Sequence, residues 1–307
     1  MSSEATAPAS LSPVSRLVPI LENVPLARDT YRLRLDDPFL AQAILPGQFL
    51  MVRPGAEGAD DPLLGRPFAL YDVVLGAAGH PTAVDLVYLV VGRGTACLAR
   101  RKPGERLIVW GPLGNGFTPA APVGPVLFVA GGIGQTPFLA LGRWWLGKAS
   151  YGKKQQEAFS SSTPGITRVF SPSATLLYGV RTAALLAGVN DFRQAGIEVE
   201  IATDDGSAGH HGLVTDLLAR HLAQVVRPAR IVGCGPAAML SALARLAERQ
   251  GIPCDVSLEN HMACGFGACF SCVAPIRQTN GSSDLRRVCI EGPVFAARSV
   301  DWSSLRL

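Results

Sequence analysis

Charge of either sign is scarce in this chain of 307 residues: only 17% are Asp, Glu, Lys or Arg, and the formal net charge is +4. No run of Lys and Arg is dense enough to make a nucleic-acid face, so that class of partner is excluded. Long hydrophobic runs are missing too. The most apolar stretch, Val126 to Gly142, is interrupted by Gly131, Gly132, Gly134, Gln135 and Pro137 and stops at Arg143, short of the roughly twenty residues that span a bilayer. No membrane association is expected. The start has neither the basic residues nor the apolar segment of a secretory signal, and residues 1–14, rich in Ser, Ala and Pro, read as a disordered tail. There is no internal repeat, no Ser/His/Asp arrangement and no zinc-type histidine motif. An odd cysteine count, seven, argues against a disulfide framework and for a reducing compartment, the cytoplasm. With 48% hydrophobic residues the chain is globular, with length for about two domains and an appendage.

What is present is concentrated near the end. Cys264, Cys269 and Cys272 follow the spacing C-x4-C-x2-C, and Cys289 comes later. This is the ligand pattern of a plant-type [2Fe-2S] cluster, in which two irons bridged by sulfide each take two thiolates. Gly265 and Gly267 suit a tight loop that turns its amides toward sulfur. A structural zinc site or buried inert thiols are the alternatives, and zinc loops usually pair two short knuckles rather than three close cysteines and a distant one. Cys97, Cys234 and Cys254 are left over.

Upstream, residues 15–118 carry short β-branched runs broken by turns: Tyr31 to Leu35, Gly47 to Val52, Val84 to Val91 and Arg106 to Trp110. Many strands and few helices predict an antiparallel barrel. After the Pro/Gly linker Pro119 to Pro125 the pattern alternates strand and helix over residues 124–257, which predicts a parallel sheet covered on both faces. Its strands are Val126 to Ala130, Thr175 to Val180, Ile197 to Ile201, Arg230 to Gly233 and Pro253 to Ser257, with helices from about Gln135, over Val214 to Gln224 and over Pro236 to Arg249. Residues 148–173, polar and without period, read as an exposed insertion. Residues 258–307 form a short cysteine- and glycine-rich segment that depends on its cluster to fold. The fold class is a multidomain β plus α/β chain with a small [2Fe-2S] segment.

Arg66-Pro67-Phe68-Ala69-Leu70-Tyr71 opens a barrel strand, and Tyr88-Leu-Val-Val-Gly-Arg-Gly-Thr95 follows some twenty residues on. A guanidinium can clamp a diphosphate by charge-assisted bonds while the next residues run along a flavin ring. The pair resembles the flavin-binding motifs of the ferredoxin reductase superfamily, which implies FAD on Arg66, Pro67, Phe68, Ala69, Val87, Tyr88, Leu89, Gly94 and Thr95. Gly131-Gly-Ile-Gly-Gln-Thr-Pro137 follows a predicted strand and opens a helix, where a glycine turn lets a pyrophosphate approach backbone amides. Its spacing is not G-x-G-x-x-G, and tight packing alone could require such a turn. Cys234-Gly-Pro-Ala-Ala-Met239 follows a later strand, and in ferredoxin reductases such a segment lies beside the nicotinamide. The NAD candidates are therefore Gly131, Gly132, Gly134, Thr136, Asp204, Cys234, Gly235 and Pro236, with Cys234 either a wall residue at the hydride-transfer position or a packed core thiol.

From about Arg16 onward the chain resembles the electron-transfer subunits of NAD-dependent (type B) dihydroorotate dehydrogenase. The resemblance rests on Gly111 to Phe117, Ala130 to Gly134, Thr203 to Ser207, Leu258 to Cys269 and Cys289 to Phe295 together. It implies FAD, NAD and a [2Fe-2S] cluster in this chain, and a separate FMN-containing catalytic subunit, as a heterotetramer, that oxidises dihydroorotate to orotate in pyrimidine biosynthesis. An NAD(P)H-linked reductase subunit of a sulfide, ferredoxin or bifurcating complex is the alternative, and a redox-sensing cluster protein a more distant one. Three departures stand out: Ala69 where the superfamily commonly has serine, Ser271 where a smaller residue is expected, and the insertion at 148–173.

Overall fold

The computed structural model of the chain describes residues 14–55, 58, 61–152 and 170–305. The expected tail, save Val14, and residues 153–169 of the expected insertion lie outside the described residues. The insertion's flanks differ from the expectation of an exposed stretch. Tyr151 and Ser171 are buried, because the Tyr151 hydroxyl donates to Asp72 and the Ser171 hydroxyl to the Pro122 carbonyl.

Strands β1 (Val14–Ala27), β2 (Thr30–Leu35), β3 (Phe49–Arg53), β4 (Arg66–Leu75), β5 (Pro81–Leu89) and β6 (Arg106–Leu113) close into an antiparallel barrel in the order β1-β2-β5-β4-β3-β6. Alternation sets which side faces in. On β6, Leu107 and Val109 are buried in the barrel core, while Ile108 and Trp110 between them are only partly buried. The helix Pro38–Ala43, capped by Asp37, whose carboxylate accepts from the Leu40 amide at 3.0 Å, packs against β5 and β6.

The second sheet holds β7 (Val126–Gly131), β8 (Ala174–Val180), β9 (Glu198–Thr203), the short β10 (His210–His211), β11 (Arg230–Cys234) and β12 (Cys254–Ser257) in the order β10-β9-β8-β7-β11-β12, all parallel. Val126 to Ala130 of β7 are buried without alternation, as a strand covered on both faces requires. The chain runs outward from β7 to β10 and then returns to β11 on the other side of β7. The order therefore reverses between β7 and β11, the place where open parallel sheets bind their ligands. A 3₁₀ turn, Gly132–Gln135, precedes the helix Phe138–Trp145, which starts three residues later than expected because Pro137, with no N–H, takes the position before it. The helix Ala237–Arg249 buries Leu240, Leu243, Ala244 and Ala247, a single stripe at helical spacing.

Beyond residue 258 come the antiparallel pair β13 (Val273–Arg277) and β14 (Ser283–Arg287), then β15 (Val294–Ala296), which adds antiparallel to β12 and extends the second sheet. The cysteine-rich segment is thus part of that sheet's edge. Its core also takes in Phe49, Met51 and Leu113 from the barrel. On the opposite side the barrel is tied to the sheet by polar contacts: Tyr71 donates to Asp191 at 2.7 Å, and Asp72 accepts from Tyr151 at 2.7 Å and pairs with Arg143.

Candidate functional site

The two flavin-type motifs meet on neighbouring strands. Arg66, Pro67, Phe68 and Ala69 open β4, Val87, Tyr88 and Leu89 close β5, and the Phe68 and Tyr88 rings are 5.5 Å apart. Gly94 lies beneath the Arg66 side chain so closely that a Cβ there would stand 3.0 Å from Nε and push the guanidinium aside by a few tenths of an ångström. Arg66 is anchored by donating from Nη1 to the carbonyls of Leu64 and Gly65, both at 3.0 Å. The side chains of Val87 and Tyr88 are core groups, and the Tyr88 hydroxyl donates to Asn23 at 2.9 Å, its acidity lowered by burial. What β5 offers a ligand is its backbone and half-buried Leu89. The Thr95 hydroxyl accepts from the amides of Val91 and Gly92 and donates to the Gly92 carbonyl, so it orders the loop that carries Gly94. Ala69 pairs with Phe49 of β3 and has no hydroxyl to offer.

The two glycine loops of the second sheet also meet, at the reversal between β7 and β11. A Cβ on Gly134 would lie 2.3 Å from the Cys234 carbonyl oxygen, and one on Gly131 would lie 2.7 Å from Pro236 Cδ. The loop of Gly131, Gly132, Gly134 and Thr136 and the loop of Cys234, Gly235 and Pro236 are therefore packed directly against each other, with Thr136 itself buried. Asp204 is exposed at the end of β9, and its amide donates to the Val180 carbonyl. Cys234 is buried and its thiol points at Glu259 Oε1, 3.6 Å away. Burial first, and the neighbouring Glu259 carboxylate next, raise that thiol well above its ordinary value, so it is a neutral wall and donor. Glu259 keeps accessible surface but stands in a recess, where desolvation raises its carboxyl and the Cys234 bond pulls the other way. A lone carboxylate has no spacing signature, and Glu259 was not among the residues the sequence singled out.

The four cysteines come together in two pairs. Cys264 donates to Cys269, and Cys272 faces Cys289, whose thiol is pushed up to about 12 by burial and then by Cys272. Among the described residues no three such groups gather around a single point that would hold one ion. Two pairs of thiols suit a two-iron cluster better than a zinc ion, which wants four donors around one centre. Cys272 and Cys289 are buried while Cys269 is exposed. Ser271 Oγ accepts from the Ala263 amide and lies 3.2 Å from Cys269 Sγ and 3.3 Å from the His261 carbonyl, the two acceptors open to its one proton. Its hydroxyl is the first cause that lowers the Cys269 thiol to about 6.

This loop is fastened to the barrel. Trp110 of β6 donates its indole N–H to the Cys264 carbonyl at 2.9 Å, and Met51 and Leu113 close over Gly265. Asn115, just past β6, donates to the carbonyls of Glu291 and Val294 and accepts from the Val294 amide, which brackets the helix Val288–Glu291 bearing Cys289. In the sequence Trp110 stands only as the end of a strand run and Asn115 only as part of the Gly111 to Phe117 resemblance, and neither pointed to a contact with the cysteines. Cys97 donates to the Pro54 carbonyl and Cys254 lies beside Asp255, both away from the four. His210 stands 3.4 Å from Asp216, and His211 is exposed.

The family model for the iron-sulfur cluster binding domain of dihydroorotate dehydrogenase B matches residues 259–301. The chain is 36% identical over 278 residues to the dihydroorotate dehydrogenase B (NAD(+)) electron transfer subunit of Desulforamulus reducens, covering 90% of this chain and 94% of that protein. It is 37% identical to the subunit of the same name from Bacillus caldolyticus, with 90% and 94% covered. Among solved structures it is similar to that of an NADH-dependent reduced ferredoxin-NADP oxidoreductase, described for flavin-based electron bifurcation, with a TM-score of 0.73, 26% identity, and 94% of this chain and 91% of that one covered. The ferredoxin reductase of a carbazole 1,9a-dioxygenase shares the fold at a TM-score of 0.56 and 21% identity, over 80% of this chain and 68% of that one.

Proposed function

The chain belongs to the family of NAD-dependent dihydroorotate dehydrogenase B electron-transfer subunits, and from that premise we propose which of its residues carry each step and what it assembles with. It is an oxidoreductase subunit that works with FAD, a [2Fe-2S] cluster and NAD in the oxidation of dihydroorotate to orotate, a step of pyrimidine biosynthesis. NAD chemistry moves a hydride and an iron-sulfur cluster one electron, and FAD, which exchanges both, supplies the link when bound. In our reading Arg66 clamps the diphosphate of FAD, held for that by Leu64 and Gly65, while Gly94 gives the guanidinium room and Thr95 orders the loop. Pro67, Phe68, Ala69 and the backbone of Val87, Tyr88 and Leu89 line the flavin.

Gly131, Gly132, Gly134 and Thr136 with Gly235 and Pro236 form the crevice for the pyrophosphate and nicotinamide. Cys234 is the neutral wall beside the nicotinamide and Glu259 its polar partner. Asp204, with Asp205 beside it, places negative charge after β9, which favours a ribose hydroxyl over a 2′-phosphate and so NAD over NADP. Cys264 and Cys269 hold one iron, and Cys272 and Cys289 the other.

The observation that carries this reading is the bracket of Trp110 and Asn115, which seats the four-cysteine segment directly on barrel strands β3 and β6. The exposed rings of Phe266 and Phe270 and the side chain of Ile290 surround the outer cysteines, a face suited to a catalytic partner subunit. That partner carries FMN in our reading, and the assembly is a heterotetramer in the cytoplasm. No described helix is long and apolar enough to cross a membrane. The likeness to the bifurcating oxidoreductase favours a second reading, a reductase subunit with a different flavin partner. Co-purification from the native cell tests the two: an FMN-containing dihydroorotate dehydrogenase chain supports the first, and another flavin or iron-sulfur oxidoreductase the second.

A further inference from the structure

On the face of the molecule formed by the helix Ala237–Arg249 and the C-terminal segment is a groove of about 280 Å³ that no step above uses. Its walls come from three places in the chain: Ser241, Arg245 and Glu248 on the helix, Arg277 at the end of β13, and Arg298 and Trp302 in the turns that follow β15. Three guanidinium groups face two carboxylates, Glu248 in the wall and Asp301 beside Arg277. Arg298 has no hydrogen bond or ion pair among the described residues, and Arg245 reaches only the Ser241 hydroxyl, at 3.2 Å. Arg277 stands 3.9 Å from Asp301, too far for a hydrogen bond, and that carboxylate is already held by the hydroxyls of Ser303 and Ser283 at 2.6 and 2.8 Å. The groove therefore carries an excess of positive charge over Glu248 and Asp301, with most guanidinium donors turned to solvent rather than to the protein, so an anion that enters is attracted. Trp302 is half-buried, and its indole N–H donates to the Ala297 carbonyl at 2.9 Å, which fixes the ring as one wall.

We propose that this groove binds a phosphate-bearing small molecule of nucleotide size, with Arg245, Arg277 and Arg298 on the phosphate and the Trp302 ring against a planar group. Guanidinium forks match phosphate oxygens in pairs, and an aromatic wall adds contact area for a base. The volume lies just under the roughly 300–1,000 Å³ range of small-molecule pockets, so one mononucleotide fits and a dinucleotide does not. The site is separate from the crevice between β7 and β11.

Isothermal titration calorimetry on the holoprotein at low salt, with NAD+ saturating, tests this with cytidine monophosphate, cytidine and inorganic phosphate as probes. Cytidine monophosphate is expected to bind at least tenfold more tightly than cytidine, with Arg298→Ala and Arg277→Ala each weakening it about tenfold and the exposed Arg220→Ala leaving it unchanged. Trp302→Leu should weaken cytidine monophosphate but not inorganic phosphate. Flavin and cluster absorbance report that each variant is folded. Cytidine binding as tightly as its phosphate, wild-type affinity in both arginine variants, or no binding of cytidine monophosphate would overturn the proposal.

Discussion

Ser271 sits between Cys269 and Cys272, and its hydroxyl accepts from the Ala263 amide and turns its one proton either to the His261 carbonyl, 3.3 Å away, or to Cys269 Sγ, 3.2 Å away. Hydrogen bonds toward cluster sulfur favour the reduced, more negative state. Ser271→Gly is therefore expected to keep the cluster but lower its reduction potential, read by spectroelectrochemical titration; an unchanged potential would mean the hydroxyl only shapes the loop. Cys264→Ser, Cys269→Ser, Cys272→Ser or Cys289→Ser should each lose or destabilise the cluster, by iron and sulfide content, while Cys97→Ser, whose thiol donates to Pro54, should not. Glu259→Gln keeps shape and removes charge beside Cys234. Stopped-flow mixing should show NADH reducing the flavin about tenfold more slowly, the scale of one charge-assisted hydrogen bond, with FAD content unaltered. At this scale the nearness of the cysteines was legible because three of them share one short loop. Glu259 was not, since its role comes from a thiol 25 positions earlier that β11 brings to it.

Elements were legible where period and punctuation agree, and less so where tertiary contacts decide. The runs at Tyr31 to Leu35 and Val126 to Ala130 lie in strands β2 and β7, and the apolar stripe of Ala237–Arg249 is a helix. β15 was hidden because three residues of no strong pattern form a strand only when β12 presents a free edge. The polar tie between barrel and sheet was equally hidden: Tyr71 and Asp191 are 120 positions apart, and Asp72 draws Arg143 and Tyr151 from beyond the linker. Asp72 is buried and Arg143 partly exposed, so Asp72→Ala, which strands the guanidinium, should cost about 3 kcal/mol, the lower end for a broken buried pair. Tyr151→Phe removes one hydrogen bond and should cost about 1 kcal/mol. Urea unfolding followed by flavin fluorescence measures both, and equal costs for the two would argue against a charge-centred tie.

Over the whole molecule, one arrangement joins the parts. The two glycine loops meet where the sheet order reverses, the barrel motifs lie on β4 and β5, and the cysteine loop rests on β3 and β6 through Trp110, Met51 and Leu113. In the proposed reading the electron path has its two-electron end where these loops meet and its one-electron end at Cys269, the exposed cysteine, whose loop also exposes Phe266 and Phe270. The relatives are electron transfer subunits, which implies a separate catalytic partner for the oxidation of dihydroorotate. NADH should therefore reduce the FAD of the isolated chain, and dihydroorotate should leave it oxidised until the catalytic subunit is added. With both subunits mixed, NADH forms from dihydroorotate. The discriminating variant is Cys269→Ser: it should abolish that transfer in the complex yet retain NADH-dependent dye reduction, because the crevice and barrel do not depend on the outer cysteine. Loss of both activities would point to a folding role for the cluster, and full dihydroorotate-dependent NADH formation without it would refute the relay.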